Sequence, residues 1–374
     1  MKCTLFFEPN IYGHRLEYLH SLYEYASTIS HERFVFVVPS TFNNEKNKFQ
    51  WPSASNIVIE IVDIKKSWLE NKGRLSFAYN TILLSLLLRH YTKKHKATDV
   101  FLINLMAFYP AVSILLPKNV NISGIVYYIF LYDNLSEVQI KKNWRKYKEI
   151  AAKKNIKTVF MLNDAKSADI LNTELSTDKF KRLADPIPIK DVPFQDLRKT
   201  YNISDDAIIF SHFGGLTARK GTLKILDAIS LLDNKEKYVF FFAGKAYDDL
   251  SNVIHTKIDI LREQGCQIYY KEGFVSYEYL SSLASGSDCI LIPYSNTCQS
   301  SGALAYSAFY KTNVIGPSEG LLGELIQKYH LGVTVDEITP ASIAEAILRF
   351  KPFAINDSYC KDNSKETFCK LILG

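Results

Sequence analysis

The sequence predicts an α/β protein of two domains, each a parallel sheet covered on both faces by helices. Three observations carry that expectation. Short β-rich runs alternate with longer helical stretches, the pattern of repeated strand–helix–strand units. The alternation is interrupted at Asp185-Pro-Ile-Pro-Ile-Lys-Asp-Val-Pro193, where three prolines in nine residues read as an extended linker, and it then starts afresh. The chain of 374 residues is also longer than one hydrophobic core usually organises. The expected division is 1–187, 188–351 and a polar, helical 352–374 that packs back on the first domain.

In the first domain the expected strands are 3–7, 34–38, 57–61, 100–103, 124–130 and 158–162. An amphipathic helix is expected over 16–29 and a largely buried one over 77–92. In the second domain the strands are 207–211, 238–243, 267–270, 289–293, 313–315 and 333–335, with the clearest helix at 221–232. Continuous apolar strands of this kind belong to sheets buried on both faces. Two such domains on a linker place a cleft between them, where ligands of α/β proteins commonly bind.

Composition narrows the function. Net charge is +6, too little by itself for nucleic acid, but suited to an acidic partner such as a nucleotide diphosphate or an anionic membrane surface. The 23 Tyr and 23 Phe fit either a surface for polar rings or a genomic bias toward such codons. Cys3, Cys266, Cys289, Cys298, Cys360 and Cys369 form no C-x-x-C pair, which reads as a reducing compartment without a zinc site. No leader-like segment opens the chain, and the longest apolar run, near 82–88, is too short for a bilayer. A cytoplasmic protein is expected, at most peripheral at the inner membrane surface.

The chemistry concentrates in the second half. His212-Phe-Gly-Gly-Leu-Thr-Ala-Arg-Lys-Gly221 follows a strand and opens a helix. Gly214 and Gly215 let the backbone approach a ligand. Arg219 and Lys220 set cations beside a helix start whose N–H groups favour anions. The same residues also suit an ordinary β–α turn with solvated lysine and arginine. Further on, Ser300, Ser301 and Gly302 open another helix, as the second half of a phosphate clamp or as a simple cap.

These residues resemble a known family. Gly214-Gly-Leu-Thr-Ala-Arg-Lys-Gly221 is similar to the G-R-L-x-x-x-K-G segment of family four GT-B glycosyltransferases (glycosyl transferases group 1). Matching segments follow in order: Ala243-Gly244, Gly273-Phe-Val-Ser276, Ser287-Asp-Cys-Ile-Leu-Ile-Pro-Tyr294, 301–315 and Gly320-Leu-Leu-Gly-Glu324. The resemblance spans roughly 207–350; the first half matches only in layout. It implies a GT-B fold, two Rossmann-like domains facing each other across a cleft. It also implies a nucleotide-diphosphate sugar as donor, a saccharide or lipid-linked acceptor, and retention of configuration. Phe274 and Val275 fall on the family's base-binding segment.

The departures lie at the family's E-x7-E pair. Counted back from Val314-Ile315, its second glutamate falls on Tyr306 and its first on Cys298, with Gln299 beside it. Gly215 replaces the family arginine, whose charge Arg219 can supply. Tyr306 and Gln299 can hydrogen-bond a nucleoside or sugar but carry no negative charge. No catalytic residue is named from the sequence.

In the first domain, Asn10-Ile-Tyr-Gly-His14 follows the first strand where the family carries a glycine loop, so Gly13 and His14 are acceptor-side candidates. Tyr132 and Asp133 stand where relatives show a histidine, and join them. The run 139–157 is rich in lysine, with Trp144 and Tyr147 among the cations, which fits either an anionic lipid surface or a solvated helix face. No D-x-D triplet occurs, so no metal or other cofactor is expected beyond the donor itself. The function expected is a metal-independent glycosyltransferase, by analogy in surface-polysaccharide assembly. The alternatives are a GT-B sugar-nucleotide epimerase, or a degenerate transferase that binds a sugar nucleotide or a partner chain.

Overall fold

The computed structural model describes residues 2–11, 14–70, 72–186, 195–247, 249–295 and 297–374. Its chain divides into two compact units. One comprises Met1–Phe130, Asn134–Pro186 and Ser364–Gly374, the other Leu131–Asp133 and Ile187–Asn363. The linker from 187 onward lies outside the described residues until Gln195.

The first unit contains β1 (Cys3–Phe7), α1 (His14–Ser27), β2 (Arg33–Pro39), α2 (Phe42–Glu45), β3 (Ile57–Val62) and α3 (Arg74–Lys94). It continues through β4 (Asp99–Leu102), α4 (Ala111–Leu115), β5 (Asn121–Val126), α5 (Glu137–Ala152), β6 (Ile156–Leu162), α6 (Ala165–Leu175) and β7 (Phe180–Leu183). Among the described residues its sheet runs β3-β2-β1-β4-β5-β6-β7, every pairing parallel. All five residues of β1 are buried, whereas the edge strands β3 and β7 mix buried with exposed positions. Covered central strands can be apolar at every residue and edge strands cannot. Phe6 stacks on Phe36 at 4.6 Å, and Phe101 and Phe160 extend that row beneath Leu19 and Leu22 of α1.

Three local expectations change. The strand expected at 124–130 starts earlier and stops at Val126, because the chain turns into a short 3-10 segment at Phe130–Tyr132. Strand β7 was not expected. The helix expected to be largely buried buries one face only: Asn80, Leu84 and Leu88 face inward while Leu75, Tyr79, Ile82 and Leu86 are exposed.

The second unit contains α7 (Leu197–Tyr201), β8 (Ile208–Phe213), α8 (Thr222–Ser230), β9 (Tyr238–Gly244), α9 (Ser251–Glu263), β10 (Gln267–Glu272), α10 (Tyr277–Gly286) and β11 (Cys289–Leu291). Then come α11 (Gly302–Tyr310), β12 (Asn313–Pro317), α12 (Gly320–Lys328), β13 (Gly332–Val335), α13 (Pro340–Arg349) and α14 (Ser358–Asp362). Among the described residues the sheet order is β10-β9-β8-β11-β12-β13, again parallel throughout. Phe210 stacks on Phe240 at 5.5 Å, under Ile225 and Ile229 of α8 and Ile343 and Ile347 of α13.

The tail departs from the expected 352–374 unit. Residues 352–363 stay with the second unit. There fully buried Tyr359 of α14 meets Tyr329 edge-on at 5.1 Å, and Asn313 Nδ2 donates to the Phe353 carbonyl at 3.1 Å. Only α15 (Lys365–Leu373) belongs to the first unit. Its Phe368 packs on Tyr18 of α1 at 5.1 Å and its Cys369 thiol donates to the Ser21 carbonyl. The break falls at Ser364, which caps α15 by accepting from the Thr367 amide.

Candidate functional site

In the second unit, β8 leads to β9 and β10 on one side, while β11 leads to β12 and β13 on the other. Between β8 and β11 the order reverses, and α/β sheets bind ligands beyond the carboxyl ends of strands at such a point. The sequence places its glycines there. Gly214 (φ 102°) and Gly244 (φ 147°) end β8 and β9 in backbone conformations that side chains rarely adopt. A Cβ on Gly244 would lie 1.6 Å from the Gly214 carbonyl oxygen, and one on Gly214 would lie 3.0 Å from Lys220 Nζ. The missing side chains thus let two strand ends meet and a lysine ammonium settle on the backbone.

The turn carrying Lys220 is fixed from several sides. Thr217 Oγ1 accepts from the Lys220 amide at 3.3 Å. The Arg219 carbonyl accepts from the Ser295 amide at 2.8 Å, tying the turn to the segment after β11. Lys220 Nζ stands 5.3 Å from the centre of the Tyr294 ring, in cation–π range. Arg219 is exposed, so its backbone is the anchored part and its guanidinium faces solvent.

Beneath the turn, His212 is buried, with Nδ1 2.8 Å from the Leu291 carbonyl and Nε2 3.0 Å from Thr222 Oγ1. Burial above all, with the Lys220 charge adding to it, pushes its pKa down to about 4. The ring is therefore neutral: Nδ1–H donates to the carbonyl, and Nε2 accepts from the threonine hydroxyl. It joins β8, β11 and the start of α8 in one network.

The segment before α11 lies at the same end of the sheet. Tyr306 of α11 is buried and meets Phe213, the residue before Gly214, edge-on at 5.8 Å. Ser301 caps α11 by accepting from the Ala303 amide, and the Thr297 carbonyl accepts from the Leu321 amide at 2.9 Å. Gln299, Ser300 and Gly302 are half-buried. Cys298 is buried, and burial, reinforced by the Asp133 carboxylate, pushes its thiol up to about 11, so it is neutral. The Gly273 amide donates to the Gly244 carbonyl at 3.1 Å, bringing the Gly273 turn to the end of β9; there Val275 is buried and Phe274 is 82% exposed. Gly214, Gly215, Lys220, Tyr306 and the Gly273 turn thus gather at one end of one sheet.

The acceptor-side candidates are divided between the two units. Gly13 lies outside the described residues. His14 opens α1 of the first unit, exposed, with Nδ1 2.7 Å from Glu17 Oε2. Tyr132 and Asp133 belong to the second unit, where the Tyr132 hydroxyl donates to Glu324 Oε2 of α12 at 2.9 Å. On α5 the cations Lys141, Lys142 and Arg145 are exposed, but the aromatics turn inward: Trp144 and Tyr147 pack on Phe130 at 5.5 and 5.2 Å.

Two features escaped the sequence. A hollow of about 670 Å³ flanks edge strand β10, lined by Tyr201, Tyr269, Tyr279 and Lys271 but by no residue of the Gly214 turn. In the first unit, Glu8 and Arg15 pair at 3.0 Å beside a smaller cavity. A lone glutamate closing an apolar strand was the available signal. Among the described residues no group of three or more His, Cys, Asp or Glu is placed to hold a metal ion.

Two doubly wound parallel sheets in this order define a GT-B fold. No protein-family model matches the chain, and no curated protein matches it in sequence. Solved structures do. The chain is similar to HepE of Anabaena in complex with UDP and glucose, at 13% identity and a TM-score of 0.70, over 100% of this chain and 98% of that one. It is similar to sucrose-phosphate synthase from Thermosynechococcus elongatus, at 13% identity and 0.67, over 93% and 89%. WaaG, a glycosyltransferase involved in lipopolysaccharide biosynthesis, gives 12% identity and 0.60, over 98% and 92%. At such identities the likeness is one of fold.

Proposed function

We propose that the protein is a glycosyltransferase that moves a sugar from a nucleotide-diphosphate donor to a saccharide or lipid-linked acceptor. One observation carries this reading: Lys220 lies against Gly214 and Tyr294 at the reversal point of a parallel sheet. A diphosphate seated there would meet the Lys220 ammonium, an Arg219 guanidinium turned in from solvent and the amides of Ser300, Ser301 and Gly302. Fixed cations and amides can stabilise the charge on a departing diphosphate, so the proposed transfer requires no divalent metal. Retention of configuration and a role in surface polysaccharide rest on the family resemblance. Structures similar in fold bind UDP and UDP-glucose, which makes a uridine donor the first to try. Calorimetry with UDP and an assay of UDP release from UDP-sugars, with and without saccharide acceptors, test the reading. Absence of both binding and release across nucleotide sugars overturns it.

A second reading is a sugar-nucleotide-binding protein without turnover. Buried Cys298 and Tyr306 favour it, since neither can carry the charge of the family's glutamates. Binding without release under every acceptor condition is its signature.

We also propose that the protein is cytoplasmic and touches the inner membrane surface through the cations of α5. Lys141, Lys142 and Arg145 support an electrostatic contact, while the inward Trp144 and Tyr147 give no anchor for insertion. Among the described residues no helix is long and apolar enough to cross a membrane.

A further inference from the structure

The first unit has its own reversal point. From β1 the sheet runs through β2 to β3 on one side and through β4 to β7 on the other. A cavity of about 140 Å³ opens beyond the carboxyl ends of β1 and β4, lined in part by Asn10, Arg15, Trp68, Phe77, Asn80 and Asn104. Its place in the sheet is where α/β folds bind ligands. Its lining mixes aromatic faces with amides, which suits a hydroxylated ring.

Arg15 gives this cavity a more specific chemistry. Its Nη1 donates to Glu8 Oε1 at 3.0 Å, and the Asn10 amide donates to the same oxygen at 2.9 Å. Glu8 is only 1% exposed, so this clamp is built into the end of β1. Among the described residues nothing accepts from Arg15 Nε or Nη2, although the side chain lines the cavity. Nη1 is held, and Nε with Nη2 forms an edge of two parallel donors, the geometry that a carboxylate or phosphate matches with two bonds. Burial, opposed in part by Arg15, pushes the Glu8 carboxyl up to about 7, so near neutral pH it offsets the arginine charge incompletely.

We propose that this cavity receives the acceptor and that Arg15 selects one carrying an anionic group, a carboxylate or a phosphate, on its sugar ring. The inference rests on the glycosyltransferase reading and adds the charge of the acceptor to it. Glu8 is a positioning residue, fixing the guanidinium before the ligand arrives, which lowers the ordering cost of binding.

The test uses the full chain with UDP present and three probes sharing one ring: glucose, glucuronate and glucose 6-phosphate. Calorimetry should show at least one charged probe binding roughly tenfold or more tighter than glucose, the equivalent of one charge-assisted contact. Whichever charged probe prevails identifies the source of the anion. Arg15→Gln should abolish the preference, and Arg15→Lys, which keeps the charge and loses the fork, should lose most of it. Trp68→Ala should weaken all probes alike. Equal affinity for all three probes, binding of neither charged probe, or a preference that survives Arg15→Lys in full would overturn the inference. If Arg15→Gln fails to fold by circular dichroism, Arg15→Lys decides. UDP titrated into the same samples separates the two levels: UDP binding without charge preference removes only the acceptor inference, whereas a wild-type chain that ignores every nucleotide diphosphate removes the reading beneath it.

Discussion

Lys220 Nζ stands 5.3 Å from the centre of the Tyr294 ring and 3.0 Å from where a Cβ on Gly214 would lie. A cation held against a ring and a backbone turn loses little freedom when an anion arrives. Lys220→Ala and Arg219→Ala together should weaken UDP binding by about 2–4 kcal/mol, at roughly 1.5–3 for a well-formed charged contact and less for an exposed one. Lys220 should account for most of it, since Arg219 is exposed. Calorimetry on folded variants checks this, and equal losses from the two single variants would contradict the assignment.

The same cations bear on metal dependence. If Lys220, Arg219 and the α11 amides stabilise the leaving diphosphate, turnover should persist in EDTA. Loss of turnover in EDTA, restored by Mn²⁺ or Mg²⁺, would show that the charge is balanced by an ion instead.

His212 makes the fold sensitive to acid. Its pKa is depressed by burial to about 4 from the ordinary 6.5 of a histidine. The unfolded chain therefore binds the proton first as pH falls, and stability is lost between about 6.5 and 4. The full span corresponds to about 3 kcal/mol. Denaturation midpoints of His212→Gln measured across that range should fall less steeply than those of the wild type. Parallel curves would place the acid sensitivity elsewhere.

Much of this fold was readable because its central strands are largely apolar. Runs such as Tyr-Val-Phe-Phe-Phe-Ala-Gly, over β9, leave few alternatives to a covered parallel strand. Strand β7, Phe-Lys-Arg-Leu, was missed because an edge strand needs only alternate apolar residues and four positions are too few to show a period. The residues proposed for the donor side were singled out by glycine and lysine in a strand–turn–helix context, which the structure reproduces as β8, the Gly214–Lys220 turn and α8. The Glu8–Arg15 pair was not, because it depends on a side chain seven positions away folding back over the end of β1. Tyr132 and Glu324 lie 192 residues apart, and no local pattern foretells that bond.

Glu8 should act on stability with the opposite sign to His212. Burial raises its carboxyl from the ordinary 4.5 of a glutamate to about 7. The unfolded chain therefore loses the proton first, and stability contributed by the protonated form is lost as pH rises from about 4.5 through 7. Glu8→Gln keeps a neutral group there. The difference in unfolding free energy between wild type and variant should shift in the variant's favour by up to about 3 kcal/mol over that interval. No shift across the interval would mean that Glu8 is ionised throughout, paired with Arg15 as an ordinary ion pair.

Counting back from Val314 sets Tyr306 at the second glutamate of the family that the sequence resembles, and we expect its hydroxyl, not its ring, to meet the ribose. The ring is 4% exposed, set edge-on to Phe213 at 5.8 Å and parallel to Tyr310 at 6.4 Å. Its removal by Tyr306→Ala should cost roughly 3–5 kcal/mol, as for other large buried rings. Tyr306→Phe keeps the ring and removes only the oxygen, so the fold should stand. Because Phe213 directly precedes Gly214, the ring sits at the edge of the proposed diphosphate turn, and loss of a hydroxyl contact to ribose should weaken UDP by about 0.5–1.5 kcal/mol. Tyr306→Glu restores the family's charge but sets a carboxylate in an aromatic pocket, where burial without a partner is costly. That variant should therefore lose stability and gain no donor affinity. If Tyr306→Phe binds UDP and the donor sugar as the wild type does, the tyrosine is a core residue and the ribose is held elsewhere. Tighter donor binding in a folded Tyr306→Glu would instead show that the pocket opens to the ligand and that the family register holds.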